Sequence, residues 1–355
     1  MIVLCTRIVQ MCIAKSTFRM HNKDGAIAPA SIYASVWVIP AMTQDSEAES
    51  PNPYGIMERL ADLHVHSLAS DGALTPFQIV EAAFRKGLAA VAIADHDTTL
   101  GIDEAIGAGN QFGVEVVPAI EISAIHGDRT EVHVLGYFID HRSPVLQEAL
   151  EVLQIARWER GRRMVERLNE AGVRVSFDRV AQIAAGGAIG RPHVARALCE
   201  VGAASSMDSA FGKFLQEGGV GYVPRHKVSP HEAIGMIKAS GGVACCAHPV
   251  KLKNEALLVE MVEMGLRAIE VYHPDHSPAT SRYYRRFAEK RGLIITGGSD
   301  AHCFPNDIRP GIGDIAVHYE AVEELRNASA LGPASNEDKP SFPRTRESTF
   351  VMDDD

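Results

Sequence analysis

Short apolar runs alternate with amphipathic stretches through most of the chain between residues 56 and 325. Several runs, including VAIAD, VEVVPAI and LIITGG, are almost continuous in Val, Ile, Ala and Leu, as strands buried on both faces of a sheet usually are. The clearest helical pattern between them begins at Thr75 and Pro76, which suit the N-cap and the first helical position. This alternation predicts an α/β fold built on a parallel sheet. The seven predicted strands are residues 61–66, 88–97, 114–123, 131–138, 241–249, 266–273 and 293–302.

The alternation stops between residues 151 and 225, where only helical patterns occur. We therefore predict a barrel formed by residues 56–150 and 226–325, interrupted by a helical insertion domain at 151–225. An insertion in this place is suited to cap a site on the barrel. Its predicted helices are residues 151–172, 177–184, 193–201 and 206–216.

Both ends of the chain differ from this central region. Residues 1–55 contain apolar runs that are too short and interrupted for a membrane span, followed by a polar stretch rich in Pro and Ser. This segment also lacks the basic start and the small-residue cleavage site of a signal peptide. We expect residues 1–55 to be a disordered extension outside the fold, and residues 331–355 to be a disordered polar tail.

Charge and cysteine content narrow the class of protein. The 355 residues carry a formal net charge of −10, which argues against an extended nucleic-acid-binding surface but leaves room for a small basic pocket. None of the six cysteines forms a C-x-x-C pair, so neither a zinc ribbon nor a disulfide scaffold is expected. Reduced thiols favour a cytoplasmic location, and a membrane is not expected as a partner.

Histidines and carboxylates recur at or near the carboxyl ends of all seven predicted strands. In parallel barrels, the carboxyl ends of the strands form the edge at which active sites are built. A random distribution of 15 histidines would not produce this pattern. The residues concerned are His64, His66, Asp95, His96, Asp97, Glu121, His133, His248, His273, Asp300 and His302.

The spacing within this set is typical of metal ligands. His64 and His66 are alternate residues of one strand and share a face, so one ion can bind both imidazoles. Asp71 follows in a short loop, and Glu121 could bridge two ions. The set contains no thiolate, which suits Mn, Zn or Fe rather than a structural zinc. Its members are too many for one ion, and two or three closely spaced ions favour phosphoryl chemistry.

A simpler explanation fits two of these residues better. A single histidine at a strand end is usually an ordinary polar residue, which is our interpretation of His273 taken alone. Asp95 points away from its neighbour His96 if the strand alternates, so we expect it to support the site without binding a metal. The other residues occur together too regularly for this explanation.

Six segments of the sequence together resemble a known family. They are ADLHVHSLASDGALTP, AIADHDTT, PAIEIS, EVHVLGYF, AHP and GGSDAH, and they resemble the PHP (polymerase and histidinol phosphatase) superfamily over residues 59–317. The most similar branch contains 3′,5′-nucleoside bisphosphate phosphatases, also described as 5′-to-3′ exoribonucleases (RNase AM) of short RNA. The resemblance implies a distorted seven-stranded barrel with a trinuclear metal site, commonly of manganese. The implied ligands are His64, His66, Asp71, His96, Glu121 as a bridge, His133, His248, Asp300 and His302.

The same resemblance implies substrate contacts from Asp97 and from the insertion. Arg157 and Arg160 are three residues apart and share a helix face, and Arg191 and His193 open a later segment. Guanidinium groups bind phosphate oxygens in bidentate fashion, so three arginines favour a substrate with a second phosphate. From the residues alone, a solvated helix face explains Arg157 and Arg160 better than substrate binding does, because glutamates lie between and around them. The resemblance to the family favours substrate binding instead.

We therefore expect a metal-dependent phosphoesterase that removes the 3′-phosphate of nucleoside 3′,5′-bisphosphates, with related activity at the 5′ end of short RNA. The nucleophile would be a metal-bound hydroxide held by Asp71, His96 and Glu121. One alternative is another phosphatase of the superfamily, such as a histidinol phosphatase. A second is a metal-dependent amidohydrolase, which the absence of Lys between residues 114 and 140 disfavours. A third is a barrel kept as a binding or polymerase-associated module, although such modules often lose ligands.

Overall fold

The computed structural model describes residues 59–128, 130–304 and 309–329. The predicted extension at 1–55 and the predicted tail at 331–355 lie outside these residues. Within the described part of the chain, no helix is both long and apolar enough to cross a membrane. Among the cysteines of this part, Cys199, Cys245 and Cys246 are free thiols.

Eight strands form one sheet at the centre of the described region. They are β1 (Leu60–Val65), β2 (Ala90–Ile93), β3 (Glu115–His126), β4 (Thr130–Tyr137), β5 (Val243–Cys246), β6 (Ala268–Tyr272), β7 (Ile294–Gly297) and β8 (Val317–His318). Their order is β7-β6-β5-β4-β3-β2-β1-β8. A parallel bridge joins Val65 of β1 to Ala301 beyond β7, so the sheet curls into a nearly closed barrel. The predicted barrel is thus confirmed, with one short strand more than expected.

Strand direction differs from the prediction at two places. The strands β1, β2 and β3 are parallel, as are β5, β6 and β7, but β4 is antiparallel to both its neighbours and β8 is antiparallel to β1. Only residues 127–129 separate β3 from β4, whereas a parallel crossover needs about a dozen residues or more. The short connection forces a hairpin, so the prediction of a wholly parallel sheet was wrong.

Helices cover the barrel and form the insertion. The helix predicted from Thr75 and Pro76 is α1, and Thr75 caps it: its hydroxyl accepts from Gln78 N, while the Gln78 side chain accepts from Thr75 N. The helices are α1 (Pro76–Arg85), α2 (Ile102–Phe112), α3 (Pro144–Glu170), α4 (Phe177–Ile183), α5 (Arg191–Glu200), α6 (Met207–Ala210), α7 (Pro230–Ala239), α8 (Glu255–Glu263), α9 (Pro278–Arg291) and α10 (Glu320–Ser329), with a π-helix at Phe211–Leu215 and a 3-10 helix at Pro249–Leu252.

The long helix α3 connects the barrel to the insertion. It begins at Pro144, before the start predicted at residue 151. Leu146 and Leu150 pack into a core cluster with residues of the barrel strands, whereas Met164 and Leu168 belong to a separate cluster formed with α4, α5 and α6. Because one continuous helix joins both clusters, it carries the side chains in its middle to a fixed place beside the barrel.

Candidate metal centre

Both histidines of the H-x-H motif lie on the inner face of β1. Their side chains are fully buried, and their Nε2 atoms are 3.1 Å apart. Val65 between them packs on the opposite face with residues of α1, as strand alternation requires. Two imidazole nitrogens at this distance repel each other if both are protonated, so a shared proton or a cation between them is favoured.

A tight loop after β1 brings Asp71 back to the histidines. Its Oδ1 lies 3.4 Å from His302 Nε2, and its Oδ2 lies 3.8 Å from His96 Nε2. The loop approaches β1 so closely that a Cβ atom on Gly72 would lie 2.2 Å from the carbonyl oxygen of His66. Only glycine fits there. Gly72 therefore allows the loop to place the Asp71 carboxylate beside the histidines.

Asp95 holds this loop in place. Its Oδ1 accepts hydrogen bonds from the Ser67 backbone N–H (2.7 Å) and from the Ser70 hydroxyl (2.5 Å), and its Oδ2 accepts one from the Ser67 hydroxyl (2.6 Å). The carboxylate is buried, and both of its oxygens accept hydrogen bonds from the loop on which Asp71 lies. This is the supporting role expected for Asp95.

Glu121 lies at the centre of the cluster and is 1% exposed. Its Oε1 is 2.9 Å from His133 Nδ1 and 3.2 Å from His248 Nε2, and its Oε2 is 3.4 Å from His66 Nε2. Oε2 also lies 2.8 Å from His96 Nδ1, although neither atom has a hydrogen-bond partner of acceptable geometry. His64 Nε2 lies 3.6 Å from Oε2 as well, and one carboxylate that faces five imidazoles has the surroundings expected of a bridging ligand.

His133 reaches the cluster from an unexpected strand position. It lies near the amino end of β4, and it pairs with Ser123 across the hairpin. Because β4 is antiparallel, its amino-terminal half meets the same edge as the carboxyl ends of β2 and β5. The prediction that every strand contributes through its carboxyl end was therefore wrong for His133. Glu121 does not lie at the carboxyl end of its strand either, because β3 continues to His126.

Asp300 closes the cluster from the segment after β7. Its Oδ1 lies 3.1 Å from His66 Nε2 and 3.5 Å from His64 Nε2. Its Oδ2 lies 3.3 Å from His273 Nε2. His273 is 4% exposed, so the residue that we interpreted as an ordinary polar histidine faces the donor cluster.

Three residues of the site have a strained backbone. The φ angles of Asp97, His248 and Asp300 are 53°, 26° and 49°, in the left-handed region that residues other than glycine rarely adopt. Such conformations cost about 1–3 kcal/mol each and are retained mainly where surrounding structure requires them. Each follows one of the parallel strands β2, β5 and β7, at the edge where the donors meet.

The donor set fits divalent metal ions. His66 Nδ1, His96 Nδ1 and Glu121 Oε2 are buried without a hydrogen-bond partner, which is costly unless a cation binds them. The donors are nitrogen and oxygen atoms, which suits ions such as Mn²⁺, Fe²⁺ or Zn²⁺. Within the described residues, three groups have donor atoms within 4.8 Å of one another: His66, Asp71, His96 and His302; His64, His66 and Glu121; and His96, Glu121 and His133.

Burial and mutual attraction set the protonation of these donors. Burial would raise the pKa of Glu121, but the surrounding imidazoles, His96 first, outweigh it and hold that pKa well below its ordinary value. Burial lowers the pKa of His96 and of His248 to about 4. Burial also acts on His302, but the Asp71 carboxylate outweighs it and raises the pKa of His302 to about 9. Anionic carboxylates and neutral imidazoles are the forms that bind metals.

Glu270 is a functional residue that the sequence analysis missed. It lies in β6 with no exposed surface, and its Oε1 is 3.0 Å from His64 Nδ1. Its Oε2 accepts a hydrogen bond from the backbone N–H of His248 at 2.7 Å. The sequence does contain a sign of this role, because a glutamate interrupts the apolar run RAIEVY. A carboxylate in a buried strand needs a partner.

Three of the predicted substrate residues lie beside the donor cluster: Asp97, Arg157 and Arg160. Arg157 donates from Nε to Asp97 Oδ2 at 2.6 Å and from Nη2 to the Ser123 hydroxyl at 3.0 Å. Asp97 Oδ1 also accepts from the Ser123 backbone N–H at 2.8 Å. Arg160 is buried and donates from Nε to the carbonyl oxygen of Val223 at 2.8 Å. Neither arginine lies on a solvated helix face.

The other two predicted substrate residues, Arg191 and His193, lie at the start of α5. Arg191 Nη2 is 3.3 Å from both carboxylate oxygens of Glu131. His193 is buried; its Nδ1 accepts from the Gly190 N–H at 2.9 Å, and the ring also contacts the Ser70 backbone. His193 therefore joins the insertion to the Asp71 loop. The structure adds Arg225 to the arginines, which no local signal in the sequence marked.

One cavity of about 300 Å³ unites these residues. Asp71, Glu121 and His248 line it together with Arg157, Arg191 and Arg225. A cluster of metal donors and a group of guanidiniums therefore face the same space. An α/β barrel with this combination belongs to the class of metal-dependent phosphoesterases, in which metal ions and cations share the charge of a phosphate.

Comparison with known proteins gives the family. The family model described as the PHP domain matches residues 62–192. The chain is 35% identical over 247 residues to a 3′,5′-nucleoside bisphosphate phosphatase of Chromobacterium violaceum, covering 68% of this chain and 86% of the relative. It is 36% identical over 248 residues to the 5′-3′ exoribonuclease Rnm of Escherichia coli, covering 68% and 84%. The chain belongs to the PHP domain family, as the sequence analysis predicted.

A solved structure supports the same assignment. A Bifidobacterium adolescentis protein described as a metal-dependent phosphoesterase superposes with a TM-score of 0.71 at 33% identity, covering 76% of this chain and 96% of that one. The fold, the donor cluster and these relatives together make the protein a metal-dependent phosphoesterase.

Proposed function

We propose that the protein hydrolyses the 3′-phosphate of nucleoside 3′,5′-bisphosphates and removes nucleotides from the 5′ end of short RNA. The observation that carries this proposal is the single cavity that metal donors and guanidinium groups share. A substrate with two phosphates can place one at the donors while the arginines bind the other. The two relatives with these activities, each about 35% identical, support the same substrate class.

We assign the metal ligands to the nine donors His64, His66, Asp71, His96, Glu121, His133, His248, Asp300 and His302, which would hold two or three ions, Mn²⁺ being the favoured metal. When bound, the ions supply an activated water and neutralise charge on the phosphate oxygens. We assign Asp71, His96 and Glu121 to holding the ion that would activate this water. Glu121 stays anionic there, because the imidazoles keep its pKa low.

The chain's other residues bind and orient the substrate. Arg157 and Arg191 face the cavity and are assigned to the second phosphate, with Arg160 contributing positive charge from its buried position. Asp97 fixes Arg157 through their ion pair of 2.6 Å. His193 contacts backbone groups, so we assign it to positioning the Arg191 segment. Holding the substrate in this way lowers the barrier by orientation.

Phosphate release with Mn²⁺ is the direct test. We would compare nucleoside 3′,5′-bisphosphates, nucleoside 5′-monophosphates and short 5′-phosphorylated RNAs, and follow both free phosphate and released nucleotides. The proposal expects phosphate from the bisphosphates, nucleotides from the RNA, little reaction with the monophosphates, and no activity after chelation of the metal. Absence of reaction with all three would refute it, and a preference for an unrelated phosphate monoester would favour another PHP phosphatase.

The cytoplasmic location stays a prediction.

A further inference from the structure

Four arginines converge on one side of the donor cluster: Arg157, Arg160, Arg191 and Arg225, here called the arginine pocket. Arg157 and Arg160 come from α3, Arg191 from the start of α5, and Arg225 from the segment before α7. Three of them line the cavity that contains the donors. Arg160 joins Arg157 and Arg225 around a smaller cavity of about 20 Å³.

The four guanidiniums differ in how far their donors are already used. Arg157 binds Asp97 and Ser123, Arg160 binds the Val223 carbonyl, and Arg191 binds Glu131. Arg225 is different: its side chain is 15% exposed, yet its Nε and Nη1 atoms are buried without a hydrogen-bond partner. Its Nε lies 3.5 Å from Glu131 Oε1, a charge contact without a hydrogen bond. Arg225 therefore has the most unused donor capacity.

The arginine pocket also has an excess of positive charge. Four guanidiniums face two carboxylates, Asp97 and Glu131, which leaves two positive charges uncompensated. Burial first, and then the neighbouring arginines, lower the pKa of Arg160 to about 9. Buried cations that are not fully paired are costly, so an anion of matching charge would be bound strongly here.

We infer that Arg225 is a further specificity-determining residue for the second phosphate of the substrate, beside Arg157 and Arg191, and that it binds this phosphate as a phosphomonoester dianion. A phosphomonoester carries a charge of about −1.5 to −2 at pH 7, which matches the excess in the pocket. A guanidinium can give two parallel hydrogen bonds to such a group. The inference rests on the proposed function in taking a nucleoside phosphate as the ligand, and it explains why an end with a terminal phosphate would be chosen over a free hydroxyl.

Binding of adenosine 5′-monophosphate to the Mn²⁺-loaded protein tests the residue. Isothermal titration should show affinity lowered about tenfold to a hundredfold in Arg225→Gln, because charged hydrogen bonds to the phosphate are lost. Arg163→Gln is the matched control, since Arg163 is exposed on α3, and it should stay within about twofold of the wild type. Equal affinity of Arg225→Gln and the wild type would overturn the inference.

A second measurement needs no variant and so does not depend on the folding of one. The methyl ester of adenosine 5′-monophosphate is a monoanion, and the wild type should bind it at least about tenfold more weakly than the dianion. Equal affinity for the two would overturn the assignment of a dianion site. Neither measurement requires turnover: binding that depends on Arg225 without any phosphate release would refute the proposed function alone, and release with unchanged binding in Arg225→Gln would refute the Arg225 site alone.

Discussion

The Nδ1 atom of His64 lies 3.0 Å from Oε1 of Glu270, while the Nε2 atom of the same ring faces His66 at 3.1 Å. Both residues are fully buried. Since an anionic carboxylate only accepts hydrogen bonds, this contact keeps a proton on Nδ1 and leaves Nε2 as the nitrogen that can bind a metal once its own proton is displaced. Glu270 thus fixes the tautomer of His64, as carboxylates behind metal-binding histidines do.

Replacement of Glu270 by glutamine should weaken metal binding. The amide keeps the size of the side chain but removes the negative charge that stabilises the His64 Nδ1–H, so we expect Mn²⁺ affinity to fall about tenfold to a hundredfold. Titration of metal-free protein with Mn²⁺ measures this. Glu289→Gln, at an exposed position of α9, serves as the control, and an unchanged dissociation constant in Glu270→Gln would contradict the assigned role.

Metal binding should release protons at pH 7. Burial opposes protonation of both His302 and His64, but Asp71 raises the pKa of His302 to about 9 and Glu270 raises that of His64 well above its ordinary value. Both rings are therefore protonated at pH 7 in the metal-free protein, and metal ions must displace those protons. We expect release of about two protons at pH 7 and affinity that rises toward pH 9.

Calorimetry in two buffers of different ionisation enthalpy measures this release. His96 and His248, with pKa values of about 4, are already neutral at pH 7 and should add nothing. Heat that does not depend on the buffer, together with constant Mn²⁺ affinity between pH 7 and pH 9, would show that the two rings are not protonated as described.

Loss of the Asp95 carboxylate should destabilise the fold. Asp95→Ala leaves the donors of Ser67 and Ser70 without their acceptor in a buried place, so the free energy of unfolding should fall by about 1–3 kcal/mol. Urea denaturation of the metal-free protein measures it. Asp103→Ala removes an exposed ion pair with Arg142 and should change stability by less than about 1 kcal/mol; equal losses in the two variants would argue against the role of Asp95.

Removal of Arg157 and Arg160 together should weaken the preference for bisphosphates. In Arg157→Ala/Arg160→Ala, the ratio of kcat/KM for a nucleoside 3′,5′-bisphosphate to that for a nucleoside 3′-monophosphate should fall about tenfold or more, since the second phosphate loses charged partners. The double variant Arg163→Ala/Arg174→Ala, at exposed positions, is the control. An unchanged ratio would favour a PHP phosphatase with a different substrate, such as a histidinol phosphatase.

The pattern of the sequence was sufficient for the barrel because several of its strands lie in almost continuous apolar runs, as β2 does. It did not reveal β8, since Val317–His318 is too short for any pattern. The reversal of β4 was visible in principle, because residues 127–129 leave room only for a hairpin. Treating every strand as parallel concealed it.

The donors were predictable because metal ligands occur at strand ends in recognisable spacings, as His64 and His66 do. Glu270 was overlooked because its partners, His64 and the backbone of His248, are distant in sequence. Arg225 lies far along the chain from Glu131, to which it is adjacent in space. Contacts of this kind arise from the packing of the insertion on the barrel, which local patterns do not encode.

Anomalous diffraction from crystals of the protein grown with Mn²⁺ would test the central claim most directly. We predict two or three manganese peaks at about 2.0–2.4 Å from the assigned nitrogen and oxygen donors, with Glu121 bound to two of the ions. Ordered manganese elsewhere in the crystal, with none beside Glu121, His64 or Asp71, would contradict the account.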